Sequence, residues 1–113
     1  ATSTLNDLFQ FSKAIRAGLT IAPELADEFL TPQVQQFENT FRNYFWYYGY
    51  ANNFLLNEQQ EIIRWGHTGE EDGVSCRLFY FPRQDVDAII LGNQSWCAGK
   101  LGWEIHDLIL NLL

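Results

Sequence analysis

An α+β fold is what this 113-residue sequence predicts, and three observations carry that reading. Apolar residues recur at helical spacing near both ends, a β-branched and aromatic run lies between them, and Gly- and Pro-containing turns punctuate that run. Helices, then strands, then a helix is the order of a domain whose N-terminal helices and C-terminal helix lie on one face of a short antiparallel β-meander. An all-α bundle, with "DVDAIILG" as a helix, is the alternative. Residues 1–113 suit a single globular domain, large enough to bury roughly 65% of the surface its unfolded chain exposes.

Thr4 and Asp7 form a capping-box pair, Leu5, Leu8, Phe9, Ile15 and Leu19 recur near helical spacing, and Gly18 can close a helix over about 5–17. In "APELADEFL", Pro23 suits a first helical position, acidic residues follow it, and Leu25 and Phe29 lie one turn apart. This is a short second helix. Thr31-Pro32 then resets the chain. Val34, Phe37, Phe41, Phe45 and Tyr48 repeat at threes and fours, which predicts a third helix with Gln35, Gln36, Asn39, Arg42 and Asn43 on its polar side. Trp46, Tyr47 and Tyr50 point off the apolar stripe of such a helix. The competing reading of 43–50 is an extended segment, because aromatic residues favour strands and Gly49 weakens a helix.

Further on, "HTGEEDG" reads as a polar connection with "GEEDG" as a hairpin tip, between strands at Glu61 to Gly66 and Val74 to Phe81. "VDAIILGN", after the turn "PRQD", supplies a third strand. Leu101, Ile105, Leu108, Ile109 and Leu112 mark a C-terminal helix starting near Ser95 or Gly99.

Composition excludes several function classes. Seven basic residues against fourteen acidic ones give a formal charge of −7, and the basic residues are scattered singly. Nucleic acid and anionic membranes would meet repulsion, whereas a basic protein partner would be attracted. No apolar run approaches the roughly 20 residues of a membrane helix. The start "ATSTLNDLFQ" lacks the basic and apolar regions of a secretory signal, so a cytoplasmic protein is expected, although a processed secreted chain can begin the same way. Two cysteines, Cys76 and Cys97, do not make a disulfide framework and are expected as free, buried thiols, with a single bridge as the alternative.

No catalytic constellation emerges. His67, Cys76, Cys97 and His106 are enough donors for zinc, but eight residues separate each His from its nearer Cys, far from the short spacing of known ligand pairs. Neither a metal nor a cofactor is expected. Cys97 with His106 and Asp107 is a poor nucleophilic triad, because adjacent helical residues diverge. Glu104 with Asp107, and Glu58 with Glu61, read as solvated charge, and "CAGKLG" lacks the spacing of a phosphate loop.

Two functional expectations follow. The first is a small non-enzymatic interaction protein that binds a protein partner, or itself as a homodimer, through Trp46, Tyr47, Tyr50 and Trp96, with Asp27, Glu28 and Glu38 steering a basic partner. The second is a small-ligand-binding domain or small enzyme with a pocket between helices and sheet, using Tyr47, Asn52, Asn53, Tyr80 and His106. Trp65 and Trp103 are assigned to the core.

Overall fold

The computed structural model describes residues 2–112. It begins with helix α1 (Leu5–Arg16), where Thr4 Oγ1 accepts the Asp7 amide at 3.1 Å and Gly18, at φ +69°, follows the last turn. Helix α2 (Pro23–Phe29) starts on its proline. Six strands follow: β1 (Val34–Gln35), β2 (Phe45–Tyr48), β3 (Asn53–Leu56), β4 (Ile62–Glu71), β5 (Val74–Phe81) and β6 (Val86–Gly92). They pair antiparallel in chain order, forming one six-stranded meander. Helix α3 (Cys97–Leu110) follows β6. The fold is therefore α+β, not an all-α bundle.

The expected third helix does not form. Arg42 and Asn43 both have positive φ, 55° and 65°, and Phe41 and Tyr44 exchange backbone hydrogen bonds across them in a two-residue turn. That geometry breaks any helix, and the aromatic stretch after it becomes β2. Positions Phe45, Trp46, Tyr47 and Tyr48 are all half-buried, as a strand with cover on both faces requires. The apparent three-and-four spacing came from a two-strand pattern interrupted by a turn.

A second correction concerns the helices, which cover both faces of the sheet instead of one. Trp65, Tyr80 and Asp87 are cross-strand partners and share a face; Gly66, Phe79 and Ala88 share the other. Helix α1 is fastened to the first face: Ser12 donates to Asp87 at 2.8 Å, Arg16 pairs with the same carboxylate at 2.8 and 3.0 Å, and its guanidinium lies 3.8 Å from the Tyr80 ring centre. Helix α3 covers the second face, where Ile109 packs with Phe79 and Phe81. Its first turn is capped from a distance, the Ala98 amide donating to the fully buried Ser75 hydroxyl at 3.0 Å.

Trp65 lies in the core with Phe54 and Leu56, as expected, while Trp103 is a half-buried residue of α3. Both cysteines are free, but neither is buried: Cys76 is half-buried and Cys97 exposed.

Candidate functional site

Strand β4 changes character at Gly66. On one side it pairs with β5 from Trp65 to Glu71; on the other its pairing with β3 stops at Asn53–Gly66. Arg64, Trp65 and Gly66 are buried, whereas His67 and Thr68 are exposed. The segment read from sequence as a polar loop is thus strand as far as Glu71, and only Asp72-Gly73 turns, with Gly73 at φ +78°. From His67 to Glu71, alternate residues direct their N–H and C=O away from β5, where no strand receives them. This is a ready-made edge for an extended ligand.

Glycine is required at the junction. Gly66 has φ +151°, and a Cβ there would lie 1.8 Å from the Leu78 carbonyl oxygen. At Gly69 a Cβ would approach Cys76 Sγ to 2.9 Å.

His67 is oriented by two contacts. Its Nδ1 donates to the Thr68 carbonyl, which can only accept, so the neutral ring leaves Nε2 to accept from the Tyr48 hydroxyl at 3.3 Å. The rings meet edge-on, 6.1 Å between centres. His67 and Leu78 form a ridge between two hollows on the α1 face of the sheet. One is a cavity of about 140 Å³ between α1, α2 and the sheet; the other is a shallower hollow of about 190 Å³ beside Gly69, Cys76 and Leu91. Below the edge, Glu70 Oε1 accepts from the Ser75 hydroxyl at 2.6 Å and from Arg77 at 2.7 Å. The Ser75 hydrogen bond, then Arg77, hold this carboxyl below the usual range against the opposing effect of desolvation.

On the opposite face the polar groups around His106 are enclosed. Arg64, 5% exposed, donates to His106 Nδ1 at 3.1 Å, and His106, with no exposed surface, keeps its proton on Nε2 facing the Tyr44 hydroxyl at 3.1 Å. The guanidinium lies 4.0 Å from the Phe79 ring centre and 4.5 Å from that of Trp103. Burial, reinforced by the Arg64 charge, lowers the His106 pKa to about 4, and burial lowers that of Arg64 to about 10. Desolvation likewise raises the Tyr44 phenol.

The residues expected to bind a partner do not form one patch. Trp46 packs against Phe41 and Trp103, and with Glu38 it lines an open groove of about 660 Å³ beside Phe37. Tyr47, on the opposite face of β2, packs on the Phe54 cluster. Tyr50 lies exposed in the β2–β3 turn, Asp27 and Glu28 are exposed on α2, and Trp96 is exposed at the start of α3. Of the expected pocket residues, Asn52 and Tyr80 do line the 140 Å³ cavity. Asn53 sits in β3, and His106 is carried by α3 and buried against the other side of the sheet. Sequence reasoning missed His67, Thr68 and Gly69 as strand residues; the usable signal was a basic residue followed by Thr-Gly just after an apolar run.

Among the described residues no group of three or more His, Cys, Asp or Glu side chains is placed to hold a metal ion, and no helix is long and apolar enough to cross a membrane.

No known protein family and no curated relative matches the sequence. The fold is similar to that in the crystal structure of a penicillin binding protein from Bacillus halodurans, with a TM-score of 0.78 and 21% identity over 93% of this chain. The match spans 30% of that protein's length. At this identity the likeness establishes the fold alone.

Proposed function

We propose that this chain forms the sheet wall of a penicillin-recognising, acyl-transfer type of site, sharpening the pocket reading of the sequence. The observation that carries the proposal is His67-Thr68-Gly69 at the start of the open β4 edge. Penicillin-binding proteins carry a Lys-Thr-Gly tripeptide beside a nucleophilic serine in a Ser-x-x-Lys motif. Here the tripeptide differs only in its first residue. An imidazole can donate and accept, whereas an ammonium only donates, so the departure changes what the first position can do.

In this reading the backbone N–H groups turned outward between Thr68 and Glu71 donate to a ligand carbonyl or to the oxyanion formed from it. Gly69 keeps the strand narrow, and His67 with Tyr48 provides a hydrogen-bonding pair at the rim. The sequence contains neither Ser-x-x-Lys nor Ser-Asp-Asn, so the acyl-accepting serine belongs to a segment or subunit beyond these residues. The chain recognises; the nucleophile is supplied to it.

Titration of ¹⁵N-labelled protein with 6-aminopenicillanic acid tests this. Saturable amide shifts concentrated at Thr68–Glu71, and weakened in His67→Ala, are expected. Shifts confined to other surfaces, or none at millimolar ligand, would sink the proposal.

A second reading rests on Phe37 and Phe41, both 55% exposed, which line the Trp46 groove. Apolar side chains grouped like this favour a protein-interaction module, including self-association. Native mass spectrometry should then show a dimer or hetero-complex that Phe37→Ser/Phe41→Ser dissociates; a monomer at micromolar concentration would dismiss it.

A further inference from the structure

We infer that the 140 Å³ cavity between α1, α2 and the sheet is a subsite for one aromatic ring, placed to hold the phenyl group of an arylacetyl side chain. The identity of the ring's carrier rests on the proposed function; the capacity of the cavity does not. Size is the first argument. An apolar cavity of about 150 Å³ stays dry and accepts benzene, so this volume suits a single six-membered ring and not a bicycle. The lining is the second. Phe11, Ile15, Phe29, Trp65, Leu78 and Tyr80 surround the space, offering ring faces and edges to an aromatic guest.

Polar groups around the cavity are few and mostly engaged. Ser12 donates to Asp87, and the Asn52 amide donates to the Phe29 carbonyl at 3.0 Å. Asn52 Oδ1 receives no hydrogen bond from the described residues, which leaves one acceptor for an amide N–H at the rim. Two more features fix the orientation of a guest. Gly66 and His67 line the cavity and also begin the open β4 edge, so a ring seated inside places its attached carbonyl beside the outward-turned backbone. Tyr80, whose phenol is tied to Asp85 at 2.6 Å, and Trp65, 5.7 Å from it ring to ring, give a fixed aromatic wall.

The test uses the 113-residue protein and phenylacetamide, which carries ring and amide but no lactam. Methyl resonances of Ile15 and Leu78 should shift saturably, whereas acetamide at equal concentration should leave them unmoved. Leu78→Phe, which fills the cavity, should weaken phenylacetamide at least tenfold with the cooperative thermal transition retained; if this variant does not fold, the acetamide comparison decides alone. Absence of methyl shifts with phenylacetamide, or equal shifts with acetamide, would overturn the inference. Separation from the parent proposal comes from 6-aminopenicillanic acid, which has the lactam without the ring. Shifts at Thr68–Glu71 with that compound and a silent cavity with phenylacetamide retire this inference alone; a responsive cavity and a silent edge retain it and retire the penicillin reading.

Discussion

His67 and His106 are carried on opposite faces of one sheet, and their partners fix opposite tautomers. His67 donates from Nδ1 to a backbone carbonyl and leaves Nε2 to a tyrosine hydroxyl at the surface; His106 accepts at Nδ1 from a buried arginine and donates from Nε2. One ring stands where a strand loses its neighbour, and the other is enclosed by Trp103, Phe81 and Tyr44 rings 5.0 to 5.5 Å away. The contrast separates two uses of a polar side chain. Around His106 on the α3 face the imidazole and guanidinium are enclosed by packing, while on the α1 face imidazole and cavity are left facing outward.

Breaking the α3 face should have the largest effect. Phe81→Ala, at a side chain 1% exposed, is expected to cost about 3–5 kcal/mol in denaturant unfolding. A loss below about 1 kcal/mol would mean that the α3 face is not the main core.

Acid tests the same face next. The folded-state pKa of His106, about 4, lies below the unfolded value near 6.5, so the unfolded chain takes up the proton first. Stability is then full above pH 6.5 and falls as the pH drops toward 4, by about 3 kcal/mol for this group. His106→Gln keeps an acceptor for Arg64 and a donor for Tyr44 without titrating, and it should remove that part of the slope. An unchanged slope would assign it to other groups.

How much of this was legible in the sequence follows the same division. Helices α1, α2 and α3 and the strands at 74–81 and 86–92 could be read because their caps, prolines and apolar periods are local. The segment from Val34 to Tyr50 could not, since its helical period was interrupted by Arg42 and Asn43 in left-handed geometry, which non-glycine residues seldom announce. At His67–Glu71 the polar composition imitated a loop; it is polar because the strand lacks a neighbour on one side. That the helices divide between two faces depends on register, which no local pattern encodes. Asn52 and Tyr80 line the cavity between α1, α2 and the sheet, whereas His106, with the same polar-tipped appearance near apolar runs, is buried in the core.

The open face should respond less in stability and more in binding. Asp87→Asn removes half of the α1 clasp, at a carboxylate 7% exposed, and is expected to cost about 2 kcal/mol, less than a fully buried pair because Arg16 is 19% exposed and can rehydrate. His67→Ala should alter stability by no more than about 0.5 kcal/mol, as an exposed edge residue, while weakening any ligand held on the β4 edge. Equal stability losses at His67 and His106 would erase the distinction between the two faces.

Hydrogen exchange along β4, read amide by amide, tests the central claim most directly. Slow exchange near the global limit is expected for the doubly paired part up to Gly66, fast exchange for the outward-facing amides between Thr68 and Glu71, and slowing of only the latter when benzylpenicillin is added. Uniform protection along the whole strand, with no response to the ligand, would contradict it.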